Sequence, residues 1–184
     1  MMEESGNGHG GHRHHVRSLL MRESLLDKEV MASTETPVVR MLPSVPVEVG
    51  RGASCHARDA DADTALEAQV LELFRRVGPV FSVDEGQIDV AMGLMSCAPA
   101  YIALVAEAQV DAGVRAGLPA QVAAQLVGAN LAGTAALLQA RDMDTLAVRR
   151  SVTSPGGSTA RGLAALEHAG LRAAFDDAMQ AVLS

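Results

Sequence analysis

The chain has 184 residues, 48% of them hydrophobic and 2% aromatic, and carries a formal net charge of -7 at pH 7. This length suits one domain with an appendage and is enough to bury a core. An acidic chain neutralises phosphates poorly, so the charge argues against nucleic acid as a partner. Two cysteines, Cys55 and Cys97, are too few for a disulfide scaffold or a zinc site, and they favour a cytoplasmic protein.

Residues 1–35 differ in character from the rest, and we predict a disordered, histidine-rich leader. Residues 6–11, G-N-G-H-G-G, match the G-x-G-x-x-G dinucleotide pattern in letters, but only five residues precede them. No strand can deliver the chain into such a turn, so we reject the match. The histidine tract would suit a soft divalent metal, yet no cysteine or acidic residue stands within it, and we predict no metal site. The tract comprises His9, His12, His14 and His15.

Residues 36–84 predict a small α/β segment. Short apolar runs at residues 37–42, 52–57 and 80–83 are typical of strands, and Pro43 stops the first of them. Between the second and third runs, Asp61 or Asp63 can cap a helix that runs to Val77. Gly78 and Pro79 then end that helix.

From residue 85 the chain reads almost wholly helical. Residues 119–140 hold no charged side chain and have nearly the length of a membrane span, about 20 residues. Polar side chains interrupt this stretch and no aromatic belt flanks it, so we predict the inside of a bundle or a dimer core and no membrane. Helices are predicted at residues 85–94, 99–117, 120–140, 143–152, 157–169 and 171–183.

Residues 153–159, T-S-P-G-G-S-T, lie where the helix at residues 157–169 begins. The first N–H groups of a helix lack intrahelical partners, and the helix dipole adds positive charge there, so a helix start can bind a small anion. Gly156 and Gly157 let a ligand approach the main chain, and the hydroxyls that follow can hydrogen-bond it. No P-loop lysine follows, so a carboxylate is as reasonable a guest as a phosphate. A plain Ser/Thr N-cap after a loop is the alternative.

The same stretch, followed by R-G-L at residues 161–163, resembles the signature of pyrroline-5-carboxylate reductases. The similarity continues upstream through P-A-Y at residues 99–101 and covers the chain from about residue 36 to its end. It implies a mainly α fold. Residues 85–184 would be an all-helical dimerisation and substrate-binding domain, a helical bundle of the 6-phosphogluconate-dehydrogenase C-terminal-like type. Residues 36–84 would be a small α/β remnant of a Rossmann domain.

In that family, hydride from NADPH or NADH reduces 1-pyrroline-5-carboxylate to L-proline, in proline biosynthesis. The resemblance implies that Ser154, Gly157, Ser158 and Thr159 bind the carboxylate of this small cyclic substrate. Thr159 would also be the catalytic group that places its hydroxyl near the ring nitrogen. Ser44 stands where the family has an asparagine beside the nicotinamide, and it is the candidate for cofactor binding.

The sequence departs from the family in its cofactor half, because no glycine-rich turn for the pyrophosphate accompanies the remnant. A second departure is M-S-C-A at residues 95–98, where the family favours S-G-S-G. We therefore predict a truncated chain that is not active alone and forms a homodimer through its C-terminal helices. The alternatives are a non-catalytic partner in mixed dimers with a full-length paralogue, and a decayed or misassigned reading frame.

Overall fold

The computed structural model describes residues 39–58 and 64–184. The predicted leader with its histidines, and the helix cap at Asp61 or Asp63, lie outside the described residues. The described chain divides into two compact units. The first contains Val47–Ile88 and the strand before it, and the second comprises Asp89–Ser184 together with the short segment Ser44–Pro46.

The first unit is built on a three-stranded sheet. Strand β1 (Met41–Pro43) pairs antiparallel with β2 (Ser54–Arg58), and β2 pairs parallel with β3 (Val80–Asp84). A parallel pair needs a long crossover, and helix α1 (Thr64–Arg75) supplies it between β2 and β3. Short 3-10 helices follow the outer strands, at Val45–Val49 and at Glu85–Gln87.

Strand β2 is the buried centre of this unit. Four consecutive residues, from Ser54 to Ala57, are buried, as expected for a strand covered on both faces. Gly78 and Gly52 bring the chain close beside it. A Cβ on Gly78 would lie 1.9 Å from the carbonyl oxygen of Gly52, and the φ of Gly78 is +152°. The main chain can therefore pass there only because Gly78 has no side chain.

The second unit is helical. Helix α3 (Ala98–Arg115) ends in a Schellman motif, in which the N–H of Leu118 donates to the carbonyl of Gly113 at 3.0 Å and Gly117 has a φ of +103°. Pro119 follows and starts α4 (Ala120–Gln139), which packs against α3 where Gly113 meets Ala123. The helices are α2 (Ile88–Met95), α3 (Ala98–Arg115), α4 (Ala120–Gln139), α5 (Thr145–Ser151), α6 (Ser158–His168) and α7 (Leu171–Leu183).

The start of α5 differs from the prediction. We expected a helix from about Met143, but Asp142 and Met143 have positive φ values of 49° and 61°, which no α-helix contains. The helix begins instead at Thr145. Asp144 caps it, because its carboxylate accepts a hydrogen bond from the N–H of Ala147 at 2.8 Å.

The helical unit buries very little of its apolar surface within one chain. Among its described residues, Ala123 is the buried apolar side chain, whereas Leu94 is 70% exposed and Leu104 is 64% exposed. By length and composition alone, Glu85–Arg115 and Ala120–Gln139 could each cross a membrane, but the core helix of a soluble bundle passes the same test. Apolar helices of this kind are stable in water only when another surface covers them.

Candidate functional site

The segment between α5 and α6 forms a tight turn. The N–H of Gly157 donates to the carbonyl oxygen of Ser154 at 3.0 Å, and Gly156 has a φ of +68°. A type II turn requires a positive φ at its third position, which glycine supplies, and commonly has proline at its second position. Pro155 and Gly156 therefore set this turn locally, without help from distant residues.

The turn delivers the chain directly into α6. Gly157 is the N-cap, with extended φ and ψ of -69° and 174°, and its carbonyl accepts from the N–H of Arg161 at 3.2 Å. That bond is the first of the helix, so the N–H groups of Ser158, Thr159 and Ala160 point out beyond the helix end. Within the described chain no side chain caps this end. The junction is thus open to an anion.

Ser154 and Gly157 fit closely against each other. A Cβ on Gly157 would lie 2.3 Å from the Oγ of Ser154, so the serine hydroxyl occupies the space that a side chain would need. Because the N–H of Gly157 is used within the turn, Gly157 contributes room and not a donor. Ser154, Ser158 and Thr159 are exposed, and Gly157 is half-buried.

The structure thus brings together the four residues predicted to bind a carboxylate, at one turn and helix start. Thr153 has a different role, since its hydroxyl donates to the carbonyl of Arg149 at 2.6 Å and closes α5. Sequence reasoning missed Arg161 as part of the junction. Its guanidinium donates to the carbonyl of Gly156 at 2.7 Å and to the Oγ of Ser158 at 3.3 Å. The signal was available, because residues three apart on a helix are neighbours.

Ser44, the candidate for cofactor binding, lies immediately after β1 and is buried, with 5% of its surface exposed. The next residue, Val45, is exposed. Ser44 belongs to the same compact unit as the helices. Ser44, which we predicted to lie beside the nicotinamide, is therefore a buried residue. Its role in cofactor binding stays a prediction.

The sequence that joins β2 to α1 lacks the glycine-rich turn typical of a dinucleotide site. A dinucleotide binds where a glycine-rich turn joins a strand to the start of the next helix, so that the pyrophosphate meets main-chain N–H groups. Here residues 59–63, which join β2 to α1, read D-A-D-A-D, with three aspartates and no glycine.

A second polar cluster, which the sequence analysis missed, links α1 to the sheet. His56 is 1% exposed, and its Nδ1 lies 3.2 Å from the Oγ of Ser82 while its Nε2 lies 3.2 Å from Oε1 of Glu67. Burial lowers the pKa of His56 and outweighs the opposing effect of the Glu67 carboxylate. The ring is therefore neutral near pH 7 and joins two strands and a helix. Among the described residues, no group of three or more His, Cys, Asp or Glu side chains could hold a metal ion.

A helical unit with an uncovered apolar surface is typical of a domain that dimerises. Residues 85–184 match the family model described as pyrroline-5-carboxylate reductase dimerisation. The chain belongs to the pyrroline-5-carboxylate reductase family, and the resemblance is confirmed. The predicted fold class, a helical dimerisation domain with a small α/β remnant, is confirmed as well.

Curated relatives agree with this family. The chain is 37% identical over 166 residues to a pyrroline-5-carboxylate reductase from Corynebacterium melassecola, which covers 90% of this chain and 62% of the relative. It is 39% identical over 166 residues to the enzyme from Mycobacterium tuberculosis, across 81% of this chain and 56% of that protein. The chain thus spans less than two thirds of the length of the relatives it matches.

Solved structures show the same fold. The Plasmodium falciparum pyrroline carboxylate reductase, solved with NADP bound, superposes with a TM-score of 0.77 at 28% identity. That match covers 84% of this chain and 62% of the other. A pyrroline-5-carboxylate reductase from Coxiella burnetii gives a TM-score of 0.77 at 30% identity, over 84% of this chain and 57% of the other.

Proposed function

We propose that this chain is the substrate-binding and dimer-forming part of a pyrroline-5-carboxylate reductase. It would bind 1-pyrroline-5-carboxylate, and the product L-proline, at the start of α6. One observation carries this function: a glycine-containing turn leads into a helix whose first N–H groups are open, at the positions of the family motif. Helix dipole and main-chain donors both favour a carboxylate there.

Each residue of the junction would have a distinct role. The N–H groups of Ser158 and Thr159 and the hydroxyls of Ser154 and Ser158 would hold the carboxylate, and Gly157 leaves room for the Ser154 hydroxyl beside it. The hydroxyl of Thr159 would meet the ring nitrogen, where a positioned donor favours the transition state of imine reduction. These side chains bind and orient the ring, and they do not supply the reducing electrons.

The hydride for this reaction would come from NADPH or NADH, and the NADP-bound relative supports that cofactor class. Because the sequence between β2 and α1 contains no glycine-rich turn, we assign no hydride step to this unit. We expect the isolated chain to bind cyclic carboxylates without oxidising NADPH. Rapid NADPH oxidation by the purified chain with 1-pyrroline-5-carboxylate would contradict this expectation.

We propose that the chain dimerises through its uncovered helices. We also propose that the protein is cytoplasmic. Leu104 on α3 and Leu126 on α4 are mostly exposed in one chain. A Cβ added to Gly128 or Gly133 on α4 would meet no atom within 4 Å, so a helix from another chain could approach closely. The family model, named for dimerisation, supports the same arrangement. We place the domain boundary near residue 85, where the match to that model begins.

The same apolar surface also supports a second candidate function, a modulator that pairs with a full-length reductase. The two candidates differ in the partner that covers the helices. Sedimentation of the pure chain should show a homodimer for either candidate, so the mixing experiment distinguishes them. For the modulator, mixing with a full-length paralogue would convert the homodimer to a mixed dimer and change the NADPH oxidation rate of that enzyme. Absence of any mixed species would exclude the modulator.

Calorimetric titration with L-proline tests the carboxylate site. The parent chain should bind L-proline and not prolinamide, which lacks the carboxylate. Thr159→Ala should weaken binding about tenfold, because a hydrogen bond to a charged ligand is worth about 1.5–3 kcal/mol. Thr145→Ala, a matched change at the start of α5, should leave the affinity unchanged. No binding of L-proline by the parent, or equal binding of L-proline and prolinamide, would reject the carboxylate site. Equal binding of L-proline by the parent and Thr159→Ala would reject the role of the Thr159 hydroxyl at the ring nitrogen.

A further inference from the structure

Arg161 bridges two parts of the junction before α6. Its Nη1 donates to the carbonyl oxygen of Gly156 at 2.7 Å, and its Nη2 donates to the Oγ of Ser158 at 3.3 Å. The side chain therefore reaches back from the second turn of the helix to the turn that precedes it. Both acceptors belong to the segment that would hold the ligand.

The bond to Gly156 fixes the orientation of a whole peptide plane. The carbonyl of Gly156 and the N–H of Gly157 belong to one planar peptide unit. Its N–H donates to the carbonyl of Ser154 at 3.0 Å, and its C=O accepts from Arg161. Rotation of the plane would break both hydrogen bonds, which restricts a peptide next to Gly156, the residue type with the fewest backbone restrictions. The direction of the following N–H groups is fixed with it.

The hydrogen bond from Arg161 determines whether the Ser158 hydroxyl donates or accepts. A guanidinium only donates, so the Oγ of Ser158 must accept from Arg161. The hydroxyl hydrogen then remains available to donate elsewhere. A carboxylate needs donors, so Arg161 makes Ser158 a donor toward an anion.

The charge of Arg161 is also informative. A cation beside the N-terminus of a helix is opposed by the helix dipole, so it is not placed there for helix stability. A bound anion would be attracted by the guanidinium and the dipole together. The guanidinium and the helix dipole therefore favour a negatively charged ligand over a neutral one at the junction.

We propose that Arg161 is a positioning residue of the carboxylate site. It holds the Gly156 carbonyl and the Ser158 hydroxyl so that the N–H groups of α6 and the serine O–H point toward one anion. This role of Arg161 rests on the proposed function, but the order that it imposes on the turn does not require a ligand.

The first test therefore omits the ligand. Hydrogen exchange of the Gly157 amide is compared among the parent, Arg161→Ala and Arg172→Ala. Arg172 is a matched control, because it is an exposed helical arginine in the same unit that pairs with Glu167 instead. We expect at least fivefold faster exchange at Gly157 in Arg161→Ala and no change in Arg172→Ala. Unchanged exchange in Arg161→Ala would overturn the proposed role.

The second test measures L-proline affinity. Arg161→Ala should weaken binding about tenfold, and Arg161→Lys should restore little of it, because an ammonium lacks the planar fork that reaches both acceptors. In a Ser158→Ala background, Arg161→Ala should cost at least threefold less, since part of its action passes through that hydroxyl. A merely structural role would give equal losses in both backgrounds and would overturn the proposal.

The two tests distinguish an error in the proposed function from an error in the proposed role of Arg161. If the parent does not bind L-proline, the proposed function is wrong and the positioning role falls with it, whereas hydrogen exchange still shows whether Arg161 orders the turn. If the parent binds L-proline and Arg161→Ala binds it equally well, the carboxylate site stands and the role of Arg161 is wrong.

Discussion

The two compact units of this chain differ in how many of their apolar side chains they bury. The first buries four of the five residues of strand β2 between two neighbouring strands, so that even the imidazole of His56 is almost inaccessible. The second has more residues and longer helices, yet among its described residues it buries one apolar side chain, Ala123. Chain length alone therefore does not decide which unit has a core of its own.

The difference lies in the surface that each unit needs. A strand can be covered by the strands and the helix of its own segment, as β2 is. The long apolar helices α3 and α4 contact each other along one side only, and leucines such as Leu126 remain 57% exposed. Their other sides would be covered by a partner chain, which makes the helical unit half of a core. Substitutions at similarly exposed positions should therefore be much more damaging in the helical unit than in the first unit.

The largest effect is expected for Leu126→Asp on α4. If another chain covers Leu126, the aspartate places an unpaired charge in an apolar interface, which costs about 3–5 kcal/mol. We expect the dimer to dissociate and the helical signal in circular dichroism to fall, as measured by sedimentation and thermal unfolding. The matched control is Leu73→Asp on α1, where the leucine is 61% exposed. That change should alter stability by no more than about 0.5 kcal/mol.

A reversed result would break the comparison. If Leu126→Asp remained as stable as the parent and sedimented in the same form, α4 would be a truly solvated face. If Leu73→Asp proved the more damaging of the two, the first unit would be the one that needs an external cover.

The next effect compares two glycines with positive φ. Gly78→Ala in the first unit brings a Cβ to 1.9 Å from a carbonyl oxygen that cannot move aside, in addition to the backbone strain at +152°. We expect a loss of about 3 kcal/mol or more in the free energy of unfolding. Gly156→Ala, in the turn before α6, meets no atom within 4 Å. It should lose about 1 kcal/mol, from the left-handed backbone alone.

Urea unfolding of both variants, followed by circular dichroism, measures these losses. Equal losses would show that backbone conformation, and not the close approach to Gly52, limits position 78. Gly156→Ala should in addition weaken L-proline binding, because the strained turn no longer aligns α6.

Local residue chemistry explains why most helices were predictable. Gly117, Leu118 and Pro119 end α3 by a motif that needs no distant contact, and α7 occupies the predicted residues 171–183. The start of α5 was not predictable in the same way. Met143 adopts a positive φ although its side chain disfavours it, so the conformation is imposed by the surrounding chain.

The polar clusters differ in the same way, because some are set by neighbouring residues and others by contacts that are distant in sequence. The turn and helix start at Ser154 and Gly157 could be predicted, because proline and glycine dictate them over a few residues. The cluster at His56 could not, because its partner Ser82 lies 26 residues away and only the sheet register brings them together. Ser44 shows the remaining difficulty, since a motif position predicts a residue's role but not its exposure.

The smallest predicted effect is the pH dependence of the first unit. Burial lowers the pKa of His56, Arg58 acts in the same direction, and Glu67 opposes them. The unfolded chain therefore binds a proton at a higher pH than the folded chain does. Stability from the neutral ring is present above about pH 6.5 and is lost as the pH falls through the folded-state pKa. Urea unfolding at several pH values should show this decline, and His56→Gln should flatten it.

Glu67→Gln refines the same measurement, because Glu67 is the charge that favours the protonated ring among the residues that the structure describes. The decline toward acid pH should become steeper in this variant than in the parent. If it became shallower, the carboxylate and not the buried imidazole would be the group whose titration destabilises the first unit. The Ser82–His56–Glu67 link would then act mainly through a charged pair, and the first unit would depend on a salt bridge where we infer a neutral, buried core.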